Sequence, residues 1–169
     1  AKVRSSTMPK IPAEILPPSV KVAASYTPGL REQMRSRAEG FDHTVFRTTS
    51  GDLAESTTLS MLVVSRDRII VPPLDTVLDG ITRRIALDAA QDVGIPVEVR
   101  AVAWDEVLGA DELFLTSTTH PVVPVGLLDD VEFPAPGPVT TEVADVLVEL
   151  YSGRHQLSDQ WLTPLGTAE

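Results

Sequence analysis

Four separated segments of this sequence carry side chains whose chemistry suits a bound anion or a carbonyl group. Lys21 follows two prolines and a valine, and Glu55 lies among small and hydroxyl residues. Residues 80–83 read Gly-Ile-Thr-Arg, and residues 117–119 read Ser-Thr-Thr. A lysine amine forms a Schiff base once desolvation favours its neutral form. A glycine and a hydroxyl residue at a helix start leave backbone N–H groups open to phosphate.

Each of these segments, taken alone, also has an ordinary structural explanation. Most lysines and glutamates are solvated surface groups, many helices begin with glycine without a ligand, and hydroxyls after a strand often only stabilise a turn. The three histidines, His43, His120 and His155, are far apart, and their spacing matches no metal site. Motif analysis on its own therefore leaves both explanations open for every segment.

Composition limits the class of protein. The 169 residues correspond to about one domain, and 43% apolar with 22% charged residues is typical of a globular chain with a core. A net charge of −10 argues against binding to nucleic acid or an anionic membrane surface. The chain has no cysteine, no apolar run near the ~18 residues of a membrane span, and no signal-peptide pattern. We therefore expect a cytoplasmic protein.

Hydrophobic periodicity and turn residues predict a mixed α/β (α+β) fold. A helix over Thr27–Glu39 would bury the stripe of Leu30, Met34 and Ala38. The other predicted helices are Gly80–Val93, Trp104–Leu108 and Thr140–Tyr151. The predicted strands are His43–Thr48, a hairpin of Met61–Val64 and Arg68–Val71, Val97–Val102, Glu112–Thr116, and extended runs over 122–123 and 125–128. Residues 1–20 are proline-rich and extended, and the tail after Gly153 is predicted to be loose.

The order and separation of the four segments resemble the large domain of the class IV (fold-type IV) aminotransferases, which use pyridoxal 5′-phosphate. Lys21–Tyr26 resembles the family's Lys-x-Gly-Gly-Asn-Tyr segment, and Leu78–Arg83 resembles Leu-Pro-Gly-Ile-Thr-Arg. Residues 111–119 resemble the family's strand and turn, and Pro136–Thr140 resembles the Gly-Pro-Val-Thr entry into its last helix. The resemblance covers about Pro17 to Tyr151.

The resemblance implies a role for each site residue. Lys21 would be the catalytic Schiff-base lysine, and Glu55 would face the pyridine nitrogen of the cofactor. The remaining residues implied to bind are Tyr26 at the phenolic oxygen, Leu78 on the ring, Gly80, Ile81, Thr82, Ser117 and Thr118 at the phosphate, and Thr119 at the substrate. No metal is implied. The phosphate would then rest on a helix N-terminus and two hydroxyls, which fixes the ring against Lys21.

The implied fold is the large C-terminal domain of fold-type IV enzymes, a strand-rich, barrel-like core with flanking helices. We expect an extended segment over 1–16, the cofactor-binding domain over 17–153 and a tail over 154–169. The implied activity is transfer of an amino group from an amino acid or amine to a 2-oxo acid. A 4-amino-4-deoxychorismate lyase and a catalytically inactive homologue are the alternatives. A homodimer is implied by the family.

The sequence also departs from the family pattern. Ser56 and Ser60 stand where the family has Gly and Asn after the carboxylate, and residues 23–25 read Ala-Ala-Ser instead of Gly-Gly-Asn. Asp79 replaces a proline and adds a negative charge beside the expected phosphate site. The family's N-terminal small domain, which supplies an arginine to the phosphate, has no counterpart here. We therefore expect this chain to be the C-terminal part of a longer enzyme.

Overall fold

Residues 1–163 are described by the computed structural model, and they form two five-stranded sheets flanked by helices. The strands are β1 Lys2–Ser5, β2 His43–Arg47, β3 Leu53–Ser56, β4 Ser60–Ser65, β5 Arg68–Val71, β6 Val97–Val99, β7 Glu112–Thr116, β8 Val123–Pro124, β9 Leu127–Leu128 and β10 Val131–Glu132. The helices are α1 Ala23–Ala38, α2 Ile81–Asp92, α3 Trp104–Leu108, α4 Pro138–Tyr151 and α5 Ser158–Trp161. The mixed α/β fold is confirmed. No helix in residues 1–163 has both the length and the apolar character to cross a membrane.

The first sheet has the order β10-β9-β1-β2-β3, and the second has the order β6-β5-β4-β7-β8. The predicted hairpin is confirmed as β4 and β5, whose turn places Arg66 and Asp67 in the left-handed region, with φ of 53° and 58°. Strand β1 was not predicted, because its parallel pairing with β2 and β9 joins segments far apart in sequence. Strand β6 ends at Val99, three residues before the predicted end.

Both faces of β4 are buried, since its side chains alternate between two apolar layers. Leu62 and Val64 face α2 and α4, where they pack with Ala89 and Leu147. Met61 and Val63 face the other way and pack with side chains of the first sheet. The second sheet therefore forms the centre of the molecule, between the helices and the first sheet.

The start of α4 is fixed by a carboxylate from β7. Glu112 is 3% exposed, and its two oxygens accept hydrogen bonds from the N–H groups of Val139 at 2.9 Å and Thr140 at 2.8 Å. These are orphan donors of the first helical turn, which a negative charge suits well. A Cβ at Gly137 would overlap the Glu112 carboxyl group, so the preceding glycine is required for this close approach.

Helix α1 differs from the prediction in its start and in its buried face. It begins at Ala23, four residues before the predicted N-cap, so Ala23, Ala24 and Ser25 are helical and Pro28 lies inside the helix, not at its first position. The buried residues are Gly29, Glu32, Gln33 and Ser36, whereas Leu30 and Met34 are 51% and 73% exposed. The predicted apolar stripe is therefore wrong as a core-facing stripe, because α1 packs on β2 through hydrogen bonds.

The prediction of a loose tail is wrong for the part that the structure describes. Trp161 Nε1 and Gln160 Nε2 each donate to Asp88 Oδ2 of α2 at 3.0 Å. His155 Nε2 lies 3.3 Å from an oxygen of Asp92. Apolar side chains of residues 157–162 pack against the layer between α2 and α4. Residues 164–169, the rest of the predicted tail, lie outside the described residues.

Candidate active site

A cavity of about 380 Å³ opens where the sheets and the starts of α1 and α2 meet. Its lining comes from segment 9–21, the first turns of α1, the β3–β4 connection, the loop into α2 and the end of β7. The prediction of an extended chain is wrong for segment 9–21, because turns at residues 13–15 and 18–19 interrupt it. Its volume falls in the range of about 300–1,000 Å³ usual for small-molecule sites. The predicted site residues that line it are Lys21, Tyr26, Glu55, Leu78, Gly80, Ile81, Thr82, Ser117 and Thr118.

Lys21 reaches the cavity from the two-residue approach to α1. It is exposed, and Val22, the residue that follows it, is the N-cap of the helix. Tyr26 lies in the first turn of α1 and is half-buried at the same cavity. Lys21 thus lies just before α1 and is open to a ligand that enters from solvent.

Glu55 projects from β3, which was not predicted as a strand, and its side chain is 17% exposed. One carboxylate oxygen is ion-paired with Lys10 Nζ, and the other accepts a hydrogen bond from the Leu78 N–H at 3.2 Å. Lys10 Nζ also donates to the carbonyl oxygen of Thr76 at 2.9 Å. Lys10 was missed as a site residue because a pairing across 45 residues leaves no local pattern.

The N-terminus of α2 faces the cavity, as predicted from its glycine and threonine. Gly80 is the N-cap residue with φ −73° and ψ 134°, and the helix begins at Ile81. The backbone N–H groups of a first helical turn have no partner within the helix, so this end of the cavity attracts an anion. Ile81 is 67% exposed and Thr82 is buried, so Ile81 does not belong to the apolar face of α2.

Asp79 does not present a free negative charge to this anion site. Arg84 holds its carboxylate through two hydrogen bonds, one of them from Nε to Oδ1 at 2.7 Å. The hydrogen bond from Arg84 lowers the pKa of Asp79 below its usual range, so the pair stays ionised and its net charge is zero. The negative charge of Asp79 beside the expected phosphate site is therefore neutralised by Arg84 at the start of the same helix.

The hydroxyl segment after β7 forms a tight turn. The Ser117 N–H donates to the His120 carbonyl oxygen at 3.0 Å, and Ser117 Oγ accepts from the His120 N–H at 3.2 Å. Ser117 and Thr118 line the cavity, whereas Thr119 is exposed outside it, with its hydroxyl 3.0 Å from His120 Nδ1. The structure thus brings two of the three hydroxyl residues to the site.

Three buried polar atoms in residues around the cavity lack a hydrogen-bond partner among the described residues: Ser56 Oγ, Thr116 Oγ1 and Arg83 Nε. Arg83 is 4% exposed, and burial lowers the pKa of its guanidinium, although Asp79 and Glu55 oppose this change. Buried polar groups normally have partners, and other unsatisfied atoms, on Arg4, Arg68 and Thr140, lie away from the cavity. Within residues 1–163, no cluster of His, Asp and Glu could hold a metal ion.

The family model of amino-transferase class IV matches residues 2–128. The chain belongs to this family. It is 34% identical over 149 residues to a probable branched-chain-amino-acid aminotransferase of Thermotoga maritima, a match that covers 85% of this chain and 53% of that protein. It is 36% identical over 119 residues to the D-alanine aminotransferase of Bacillus licheniformis, covering 69% of this chain and 41% of that protein.

The fold has a solved counterpart in the same family. The branched-chain amino acid aminotransferase of Thermobaculum terrenum, solved in its PLP form, superposes with a TM-score of 0.93 at 31% identity, covering 98% of this chain and 55% of that one. The chain spans about half the length of the curated relatives it matches. The fold-type IV assignment is therefore confirmed for the part of the enzyme that this chain represents.

Proposed function

We propose that this chain is the cofactor-binding part of a pyridoxal-phosphate-dependent aminotransferase that moves an amino group from an amino acid or amine to a 2-oxo acid. The observation that carries the proposal is a single cavity shared by the Lys21 amine, the Glu55 carboxylate and the N-terminus of α2. An amine, an acid and an anion site are the three groups that this cofactor requires. Membership of the class IV family and the PLP form of the Thermobaculum terrenum enzyme support it.

The residues around the cavity fit the cofactor. The first turn of α2, together with Ser117 and Thr118 in the same cavity lining, offers backbone and hydroxyl donors to a phosphate. A Cβ at Gly80 would meet Ser60 Oγ at 3.5 Å, an ordinary contact. The protein's own packing therefore does not require glycine at this position.

When bound, pyridoxal phosphate supplies an aldehyde that takes up an amino group and a ring that accepts electrons. In this chain Lys21 Nζ would hold the cofactor covalently and then carry the proton between the substrate carbon and the cofactor. The Glu55 carboxylate would keep the ring nitrogen protonated, since an opposite charge in a partly buried site favours the charged form. Tyr26 would donate to the phenolic oxygen, and Leu78 would pack on the ring.

Completion of the site by a further chain segment and by a second copy is part of the proposal. Five exposed apolar side chains lie on segment 9–21, at the N-cap of α1 and on α1 itself: Ile15 at 75%, Val20 at 43%, Val22 at 37%, Leu30 at 51% and Met34 at 73%. Val20 and Val22 flank Lys21, so a covering partner would also enclose the amine. We propose that the rest of the enzyme's chain and a second copy in a homodimer cover these apolar side chains. Thr119 would contact substrate only in that completed site. A cytoplasmic location stays a prediction.

The test is borohydride reduction of the protein, produced from its whole gene and saturated with pyridoxal phosphate, followed by peptide mapping. Within this chain the label has three possible positions, Lys2, Lys10 and Lys21. We expect the added mass on Lys21, its loss in Lys21→Ala, and its retention in the control Lys2→Ala. A protein that stays colourless and gains no mass would refute the proposal and favour the inactive homologue.

Substrate assays separate the two enzymatic alternatives. Transfer of an amino group from branched-chain amino acids or alanine to a 2-oxo acid supports the aminotransferase. Release of pyruvate and 4-aminobenzoate from aminodeoxychorismate, without amino transfer, would instead assign the lyase. Lys21→Ala should abolish either reaction while the fold is kept, because both use the same lysine.

A further inference from the structure

Lys10 enters the cavity from segment 9–21, and a hydrogen bond from its backbone N–H holds it in place. Its N–H donates to the Arg47 carbonyl oxygen at 2.8 Å, which ties the segment to the end of β2. Its side chain is 20% exposed, and its ammonium forms an ion pair with Glu55. The ammonium also donates to the carbonyl oxygen of Thr76 at 2.9 Å. Two of its three donors are therefore committed to protein acceptors, unlike the exposed Lys21.

The ion pair joins the two ends of the proposed cofactor site. Glu55 lies on β3, whereas Thr76 and Leu78 belong to the loop that leads into α2. Lys10 bridges Glu55 to Thr76, and the Leu78 N–H binds the second carboxylate oxygen at 3.2 Å. The position of the carboxylate is thus coupled to the loop that places the N-terminus of α2.

We infer that Lys10 is a positioning residue, which holds the Glu55 carboxylate oriented toward a ring nitrogen before the cofactor binds. The inference rests on the proposed function. A carboxylate has about four lone-pair sites, and the contacts with Lys10 and Leu78 use two of them, which leaves room for a further donor. A partly buried carboxylate without a cation is costly, so Lys10 stabilises it while the ring is absent. Preorganisation of this kind increases affinity because less ordering is left for the binding step.

The pairing also separates the roles of the two lysines that line the cavity. Lys10 Nζ is committed to hydrogen bonds with Glu55 and Thr76, so it is not free to attack an aldehyde. Lys21 lines the same cavity at the approach to α1 and is exposed, so it is open to the aldehyde. The structure thus provides one lysine for the acid and another for the covalent bond.

The test compares Lys10→Gln with Lys10→Arg in the protein from its whole gene. Gln keeps a hydrogen-bond donor but removes the charge, and Arg keeps both. Cofactor affinity is measured by titration with pyridoxal phosphate, and the visible spectrum of the bound cofactor is followed against pH. We expect Lys10→Gln to weaken binding by about tenfold or more, the scale of a lost hydrogen bond to a charged group, and to change the pH dependence of the spectrum. Lys10→Arg should restore most of both, and the control Lys2→Gln should change neither.

The outcomes distinguish this inference from the proposed function. If Lys10→Gln keeps the affinity and the pH profile of the unaltered protein, or if Lys10→Arg is as defective as Lys10→Gln, Lys10 does not position the acid. If the unaltered protein takes up no cofactor on Lys21, the proposed function itself fails. A reduced cofactor found on Lys10 would overturn the assignment of the two lysines. Thermal unfolding of both variants without cofactor shows whether a loss of binding reflects a loss of fold.

Discussion

Helices α2 and α4 pack on the second sheet through apolar side chains, whereas α1 packs on the first sheet through polar ones. In the α2–α4 layer, Ala86, Ala89 and Leu147 are at most 1% exposed. Under α1, Gln33 Oε1 accepts from the Thr44 N–H at 3.0 Å, and Ser36 Oγ lies 2.7 Å from Thr44 Oγ1. The α1 side chains that would suit a core, Leu30 and Met34, face outward. An apolar stripe on a helix thus marks a face that is suited to packing against another surface. That surface need not be the sheet on which the helix itself packs.

The largest effect on stability should come from the apolar layer. Leu147→Ala removes a side chain that is 1% exposed between α4 and the second sheet. We expect the free energy of unfolding to fall by about 3 kcal/mol, within the ~2–5 kcal/mol typical of buried leucines. The matched variant is Met34→Ala on α1, which is 73% exposed and should change it by less than about 0.5 kcal/mol. Urea unfolding measures both, and equal losses would contradict the contrast between the helices.

A smaller loss is expected where α1 depends on hydrogen bonds. Gln33→Leu keeps the size of the side chain but leaves the Thr44 N–H and the Asp42 carbonyl oxygen without their side-chain partner. Each buried group left unsatisfied costs about 1–3 kcal/mol, and partial rehydration at the helix edge should keep the total near the lower end. The control is Gln91→Leu on the exposed face of α2. If Gln33→Leu is neutral or stabilising, the polar contacts do not hold α1 in place.

A still smaller effect is the pH dependence of the β2 region beside α1. Burial lowers the pKa of His43 below its usual value of about 6.5. Arg37, the N-terminal ammonium and His120 act in the same direction, and Asp42 opposes them. Between the lowered pKa and about 6.5 the unfolded chain binds a proton that the folded chain does not. The free energy of unfolding should therefore fall as the pH drops through this window, and His43→Gln should flatten that slope in urea titrations at several pH values.

The smallest effect on the chain's own stability is expected from the outward face of α1. Replacement of both Leu30 and Met34 by Glu should leave the free energy of unfolding nearly unchanged, because both side chains are already in solvent. Assembly should change instead, since charges would replace the apolar surface that we propose a partner covers. Sedimentation velocity compares this variant with Val148→Glu, an exposed position on α4 at 61%. Unaltered assembly of the double variant would remove α1 from the proposed interface.

Local sequence patterns were sufficient to predict a helix or strand where the residues it packs against are apolar and close in sequence. The β4–β5 hairpin, α2 and the body of α4 were predicted, because alternation and helical periodicity reflect burial against a sheet. The pattern failed for α1, since its buried face carries Glu32, Gln33 and Ser36. Strand β1 was missed because four residues with no clear alternation become a strand only through pairing with β2 and β9.

The site divides along the same line. Lys21, Glu55 and the Gly80–Thr82 helix start, which line one cavity, were predicted from motifs, because each lies in a segment with a characteristic order of residue types. Lys10 was not found, and neither was the pairing of Asp79 with Arg84, because no motif contains them. Both interactions are electrostatic contacts that depend on where loops approach each other.

The sequence by itself determined the family, the order of the chemical groups along the chain and the elements with strong apolar periodicity. The motifs and the periodic elements are local, since periodicity is read within a window of roughly 11–18 residues, and the family follows from the order of the motifs along the chain. Only the tertiary structure decided that an amine, a carboxylate and a helix N-terminus line one cavity, which face of α1 is buried, and that Lys10 is the counter-ion of Glu55. The physical reason is that burial and charge pairing depend on distances between segments far apart in the chain, such as the 45 residues between Lys10 and Glu55.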